Sequence, residues 1–155
     1  MARKETLIIR DAKLIWKNFE GRRTDFNDAG DRNFSVVIDD PDVAETLMKD
    51  GWNLKPMKAR DEDEEPRWHL PVKVRYDNFP PRVVMRRRNK DNIELDEIDI
   101  ARLDRAEIQT CHVNINPSFW SVGNKSGVKA YLKSMIVDIE EDELMAELED
   151  EDYGF

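Results

Sequence analysis

The sequence is short of the residues that build catalytic and metal sites. Its 155 residues include one cysteine and two histidines. A single thiol, Cys111, excludes a disulfide framework and a multi-cysteine zinc site, and it suits a reducing compartment. No apolar run approaches the ~18 residues of a membrane helix. Met1-Ala2-Arg3-Lys4-Glu5 leads into a short apolar stretch without a cleavage-site pattern, so no signal peptide is expected.

The usual catalytic spacings are missing too. Cys111 and His112 are adjacent, but neighbours on a strand point to opposite faces and cannot form a dyad. Cys111 shares parity with Val113 and Ile115 and reads as a small core residue. No Glu-x-Lys tripeptide of the kind a nuclease site uses is present. Gly123-Asn124-Lys125-Ser126 lacks the earlier glycine of a phosphate loop and lies between two strands. Asp61 to Glu65 lacks the glycine and distal glutamate of a calcium loop, which leaves a solvated acidic loop. The expectation is a protein that is not an enzyme, with no metal and no cofactor.

What is abundant is charge, at 38% of residues with a net of -9. The acids are not spread evenly. Ten of the 34 lie in Asp138–Phe155, which contains no Lys or Arg. Residues 1–137 therefore hold 24 acids against 25 bases, and without Asp61–Glu65 the balance is 19 against 25. A mildly basic body carries an acidic tail and an acidic loop. The expected division is a domain over 1–139 and a flexible tail over 140–155.

The body reads mostly as strands. Thr6–Phe19 is rich in Leu, Ile and Trp, and Arg82–Arg88 reads as another short strand. Phe34, Val36 and Ile38 alternate in one strand. In Arg67–Tyr76, Trp68, Leu70, Val72, Val74 and Tyr76 face one way, and Arg67, His69, Lys73 and Arg75 the other. Cys111–Ser121 and Val128–Ile139 are expected to form a hairpin through Gly123–Gly127. Asp40 as cap, Pro41 in the first turn and Gly51 at the end predict a helix, with Val43, Ala44, Leu47 and Met48 as its core stripe. A shorter helix is expected over Glu97–Asp104 with Ile100 and Leu103 buried, and a further turn or two in the tail on Leu144, Met145 and Leu148. This order predicts a mostly β fold, an OB-like five-stranded Greek-key barrel with a helix-containing insertion at 41–66 and one short helix. A β-sandwich or another α+β sheet is the alternative.

A binding surface remains as the functional reading. Single strands are held by cations that track phosphates and rings that stack on bases. Candidates in the first half are Lys17, Phe19, Arg22 and Arg23, with Phe26 and Arg32 following, and then Arg67, Lys73 and Arg75, with Phe79 beyond. The second half adds Arg86 and Arg88 in an arginine run, and Trp120, Lys129, Tyr131 and Lys133 on the hairpin. Trp16, Phe34, Trp68 and Tyr76 fit apolar stripes and are expected in the core. Residues 21–32 read as a flexible loop beside the ligand, the place such a loop has in an OB barrel.

The ten acids of this tail and its ending Asp152-Tyr153-Gly154-Phe155 resemble the C-terminal tip of bacterial and phage single-stranded DNA-binding proteins, an acidic stretch ending in Phe. Tyr153-Gly154 stands where that tip commonly has Ile-Pro. Lys17-Asn18-Phe19-Glu20-Gly21-Arg22, Gly30-Asp31-Arg32-Asn33-Phe34 and Gly51-Trp52-Asn53 are similar to segments of a tailed-phage family of single-stranded DNA-binding proteins with an OB core. The resemblance implies binding of single-stranded DNA without sequence preference, in phage replication or recombination in the host cytoplasm. It also implies a tail that docks replication and recombination proteins through Asp152, Tyr153 and Phe155. No membrane association is expected, and a homodimer is left open. The competing readings are an acidic module or DNA mimic that inhibits a host protein, a virion assembly protein, and an enzyme. Against the mimic stands the clustering of Arg22, Arg23 and Arg86–Arg88 away from the acids.

Overall fold

The computed structural model describes residues 5–25, 27–59, 61–77, 80–87 and 90–139. Phe26, Phe79, Arg88 and the whole tail, with Leu144, Met145, Leu148, Asp152, Tyr153 and Phe155, lie outside the described residues.

The strands are β1 (Leu7–Ile9), β2 (Leu14–Asn18), β3 (Arg32–Ile38), β4 (Lys55–Pro56), β5 (Trp68–Val74), β6 (Arg82–Arg87), β7 (Ile93–Leu95), β8 (Ile108–Val122) and β9 (Lys125–Ile139). Helix α1 (Pro41–Lys49) follows β3, and a 3-10 helix (Asp99–Asp104) precedes β8. The main path through the sheet runs β1-β8-β9-β5-β3-β2. Its two ends, β1 and β2, are consecutive in the chain, so the sheet curls back on itself. The link between them is bonded on both sides: Ala12 N–H donates to the Cys111 carbonyl at 2.7 Å and Val37 N–H to the Lys13 carbonyl at 2.9 Å. The result is an OB-like β fold.

One break separates the observed first strand from the expected one. Thr6–Phe19 bends at Asp11, which has φ of +51°, and β1 goes to β8 while β2 goes to β3. Strand β9 then organises the rest. It pairs antiparallel with β8 along its length, parallel with β5 at Val72↔Ala130 and Lys73↔Tyr131, and parallel with β6 from Arg82↔Ser134 to Arg87↔Ile139. Strands β5 and β6 thus lie end to end along one edge of β9. Strand β7 extends the β6 end as a hairpin through Val83↔Leu95, a pairing the sequence pattern did not suggest.

The core is filled by alternate residues of these strands. Phe34, Val36, Leu70, Val72, Cys111, Val113, Ile115, Met135 and Val137 are all buried. Burial pushes the Cys111 thiol up to about 12, so it is an un-ionised packing residue. Leu132 and Met135 both face inward although three residues apart. A bulge opposite Asn114 and Ile115 takes up the extra residue and leaves Lys133 and Ser134 outside.

Helix α1 forms where its caps predict. The Asp40 carboxylate accepts the N–H groups of Asp42 and Val43 at 2.9 and 3.5 Å. Its buried stripe is narrower than expected: Ala44 and Leu47 are buried, while Val43 and Met48 remain exposed. The second helix is a six-residue 3-10 turn with Ile100 and Leu103 fully buried. The closing hairpin is tighter than the Gly123–Gly127 loop expected. Val122 pairs with Lys125 around Gly123-Asn124, and Gly123 supplies φ of +59°. Gly127 stays in β9 because the Trp120 ring lies against it, 3.0 Å from where a Cβ would sit.

Candidate nucleic-acid interface

The face of the sheet turned away from the core carries the polar half of the alternation. On β5 this stripe is His69, Pro71, Lys73 and then Arg75. On β9 it is Lys129, Tyr131 and Lys133, and on β8 it is Asn114, Asn116, Ser118 and Trp120. The register brings them into a row: Asn116 opposes Tyr131, Tyr131 stands beside Lys73, and Lys73 opposes Asn33 of β3. Ser118↔Lys129 and Trp120↔Gly127 extend the same face toward the hairpin tip. Tyr131 is half-buried, with exposed lysines around it. Among the described residues, Lys73, Lys129 and Lys133 have no ion-pair partner.

Arg75 ends the β5 stripe. Its Nε and Nη2 donate to Asp77 at 3.1 and 2.7 Å, and Asp77 followed by the Tyr131 hydroxyl hold its pKa above the ordinary value. The pair is solvent-exposed and screened on both sides, so the guanidinium can exchange Asp77 for a phosphate at little cost.

Beside this row lies a groove of about 660 Å³ lined by Asn33, Lys73, Arg75, Tyr76, Arg32 and Gly30, with Asp31, Asp77 and Glu97 as its acids. Tyr76 is half-buried, with the Arg32 guanidinium 5.4 Å from its ring centroid, and burial pushes its hydroxyl up to about 12. Arg32 also meets Glu97 at 3.4 Å. The groove is therefore polar and close to charge balance, and its cationic border is the lysine row.

The loop between β2 and β3 borders the groove, and its described residues are braced by side-chain hydrogen bonds. Asn18 accepts from Arg22 N–H at 2.9 Å and donates to the Arg22 carbonyl at 3.0 Å. Asn27 donates to the carbonyls of Arg22, Asp28 and Asp31, and Asn33 donates to Asn27 at 2.7 Å. The neck closes where Gly30 N–H meets the Gly21 carbonyl at 2.8 Å. Both glycines have positive φ, and a Cβ on Gly21 would meet Gly30 backbone at 3.1 Å. This scaffold holds Arg22 and Arg23 exposed, with Arg22 weakly paired to Glu20 at 3.7 Å.

Four expected contacts sit elsewhere. Phe19 is fully buried with its ring centroid 5.2 Å from that of Phe34, so it cannot stack on a base. The chain enters the loop there because the Asp104 carboxylate accepts Phe19 and Glu20 N–H at 2.7 and 3.0 Å. Lys17 turns to the end of the 3-10 helix and donates to the Leu103 and Ala106 carbonyls at 2.8 and 3.3 Å, a capping role. Arg67 is tied to Glu64 at 2.6 Å, which anchors the acidic loop. Arg86 lies on β6, bonded to Asp138 of β9 at 2.5 and 2.7 Å, and Thr110 of β8 donates to the same carboxylate. That cluster clamps three strands, and Arg86, then Thr110, hold Asp138 below the usual carboxylate range.

One residue expected in the core is on the surface. Trp16 is 63% exposed, with φ of +51°, in the bulge where β2 slips register against β3. Its ring meets His69 edge-on with centroids 4.8 Å apart. Simple alternation cannot reveal it, because a bulge reverses the parity of the residues beyond it.

A family model for a phage ssDNA-binding domain matches residues 1–151. The chain belongs to the phage single-stranded DNA-binding domain family. Among solved structures it is similar to the single-stranded DNA-binding protein of bacteriophage Enc34, in a C-terminally truncated form. That likeness has a TM-score of 0.55 at 10% identity and covers 89% of this chain and 87% of the other, so it bears on the fold alone. Comparison with curated proteins finds no match.

Proposed function

We propose that the protein coats single-stranded DNA without reading its sequence, through the outer face that carries Lys73, Tyr131, Lys129 and Lys133. The observation that supports this most is the register Lys73↔Tyr131, which sets a stacking ring beside a free cation. Any base has a π-face and any strand has phosphates, so this chemistry is blind to sequence. Arg75, Arg22 and Arg23 add cations at the groove, and Trp120 adds a second ring on the same face.

We further propose that it acts in phage replication or recombination in the host cytoplasm. The tail, Glu140–Phe155, carries nine acids and no base, and it has two tasks. It repels or covers the lysine face, and Asp152, Tyr153 and Phe155 dock basic, apolar sites on partner proteins. Both effects on DNA weaken as the Debye length falls to about 8 Å at physiological salt.

Titration with oligo-dT, mixed-sequence single strands and duplex tests the first claim. The single strands are expected to bind alike and the duplex weakly; preference for duplex would reject the proposal. Removing Glu140–Phe155 is expected to tighten binding in dilute buffer more than at physiological salt. Unchanged affinity in dilute buffer would reject the competitive role of the tail.

A further inference from the structure

We infer that Trp16, His69 and Lys55 form a second base-binding subsite, at the opposite end of the β5 stripe from Lys73 and Tyr131. The inference rests on the proposed outer-face reading and extends it to residues on β2 and on the 41–66 insertion.

Three observations carry it. First, Trp16 is the most exposed of the described tryptophans, and the backbone is strained to expose it. A non-glycine residue at φ of +51° costs free energy, and in the bulge of β2 that conformation coincides with the large ring lying on the surface. Burial of the ring does not explain the cost, because the ring is 63% exposed.

Second, the ring is propped rather than loose. His69 touches it edge-on at 4.8 Å, leaving the broad indole face accessible. His69 is itself fixed by Ser35, whose hydroxyl oxygen is 3.1 Å from Nδ1. A pre-positioned ring loses little freedom when a base stacks on it.

Third, a cation accompanies the ring. Lys55 of β4 is directly opposite His69 in the antiparallel register, so both side chains leave the same face. Its charge, after burial, helps lower the His69 pKa. Among the described residues Lys55 has no ion-pair partner. The combination of ring and free cation repeats the one at Tyr131 and Lys73. His69 and Lys73 are four residues apart on β5, which at ~3.3 Å per residue separates the subsites by about 13 Å along one strand. The occupant is a second base and phosphate of the same DNA strand, and the otherwise unexplained β4 segment supplies the phosphate contact.

The test uses the full chain and fluorescein-labelled oligo-dT of increasing length, read by anisotropy, with melting followed in parallel. Trp16→Gly keeps the bulge conformation and removes the ring. It is expected to leave the melting temperature unchanged or higher, and to weaken long oligonucleotides at least about fivefold, the lower bound for one stacked base. The shortest oligonucleotides that still bind should be affected less. Lys55→Gln should make the salt dependence shallower by about 0.7 in log–log slope. A lower melting temperature for Trp16→Gly would make Trp16 a packing residue and overturn the subsite. So would unchanged affinity for long strands in both variants, provided Tyr131→Ala weakens them. If Tyr131→Ala also binds like the parent, the outer-face reading itself fails.

Discussion

Lys73 and Tyr131 stand side by side on two parallel strands whose residues lie 58 apart in sequence, both on the face turned from the core. Neither side chain packs the core. The inward neighbours Val72 and Ala130 do that, so the two positions are open to a ligand without cost to the core.

The contrast with Phe19 gives a first prediction. Phe19→Ala removes a fully buried ring packed on Phe34 and should destabilise the fold by about 3–5 kcal/mol. In conditions where the variant is still folded, its affinity for single strands should match the parent. Thermal melting and an oligo-dT titration measure the two effects, and a stable variant with lost affinity would restore Phe19 to the interface.

Gly21 gives a second. Alanine there must hold φ of +75° and press its Cβ on Gly30 backbone at 3.1 Å. The left-handed conformation alone costs roughly 1–2 kcal/mol. The loop neck should open and release Arg22 and Arg23 from their braced positions. The expected result is weaker DNA binding with only a small fall in melting temperature, whereas Gly123→Ala, also at positive φ but with open space around it, should leave DNA binding alone.

Arg86 gives a third, with a defined pH dependence. Asp138 has a lowered folded pKa, first because of Arg86, so the pair contributes stability above the ordinary carboxylate range of about pH 4 and loses it as pH falls through the lowered value. Arg86→Met should melt earlier than the parent at neutral pH, and the difference should shrink in acid. DNA affinity should be unchanged, because Arg86 pairs with β9 at Asp138, seven residues from Tyr131, and its Nε and Nη2 are both bonded to that carboxylate, which Thr110 also holds. A loss of affinity without a loss of stability would return Arg86 to the DNA-binding surface.

Much of the fold could be read from alternation and caps. Leu70, Val72 and Val74 point inward as their spacing says, and α1 starts at Asp40 and stops before Gly51 for reasons local to those residues. The outward parity of Lys129, Tyr131 and Lys133 was legible in the same way. The failures have two physical origins. Bulges break parity, which hid Trp16 on the surface and Phe19 in the core within what looks like one strand. Partners distant in sequence are invisible to pattern, so Arg86 looked free although Asp138, 52 residues away, binds it, and Lys17 looked free although the carbonyls of Leu103 and Ala106 hold it.

The central claim is that the outer face of β5 and β9 holds the DNA strand. Its most direct test is the affinity of the Lys73→Ala, Tyr131→Ala double variant for oligo-dT across a salt series, with melting as the control for folding. The account predicts a near-parental melting temperature, an affinity lowered by one stacked base, about 1–3 kcal/mol, and a log–log salt slope shallower by about 0.7 for the lost phosphate contact. Parental affinity with a parental slope would contradict it.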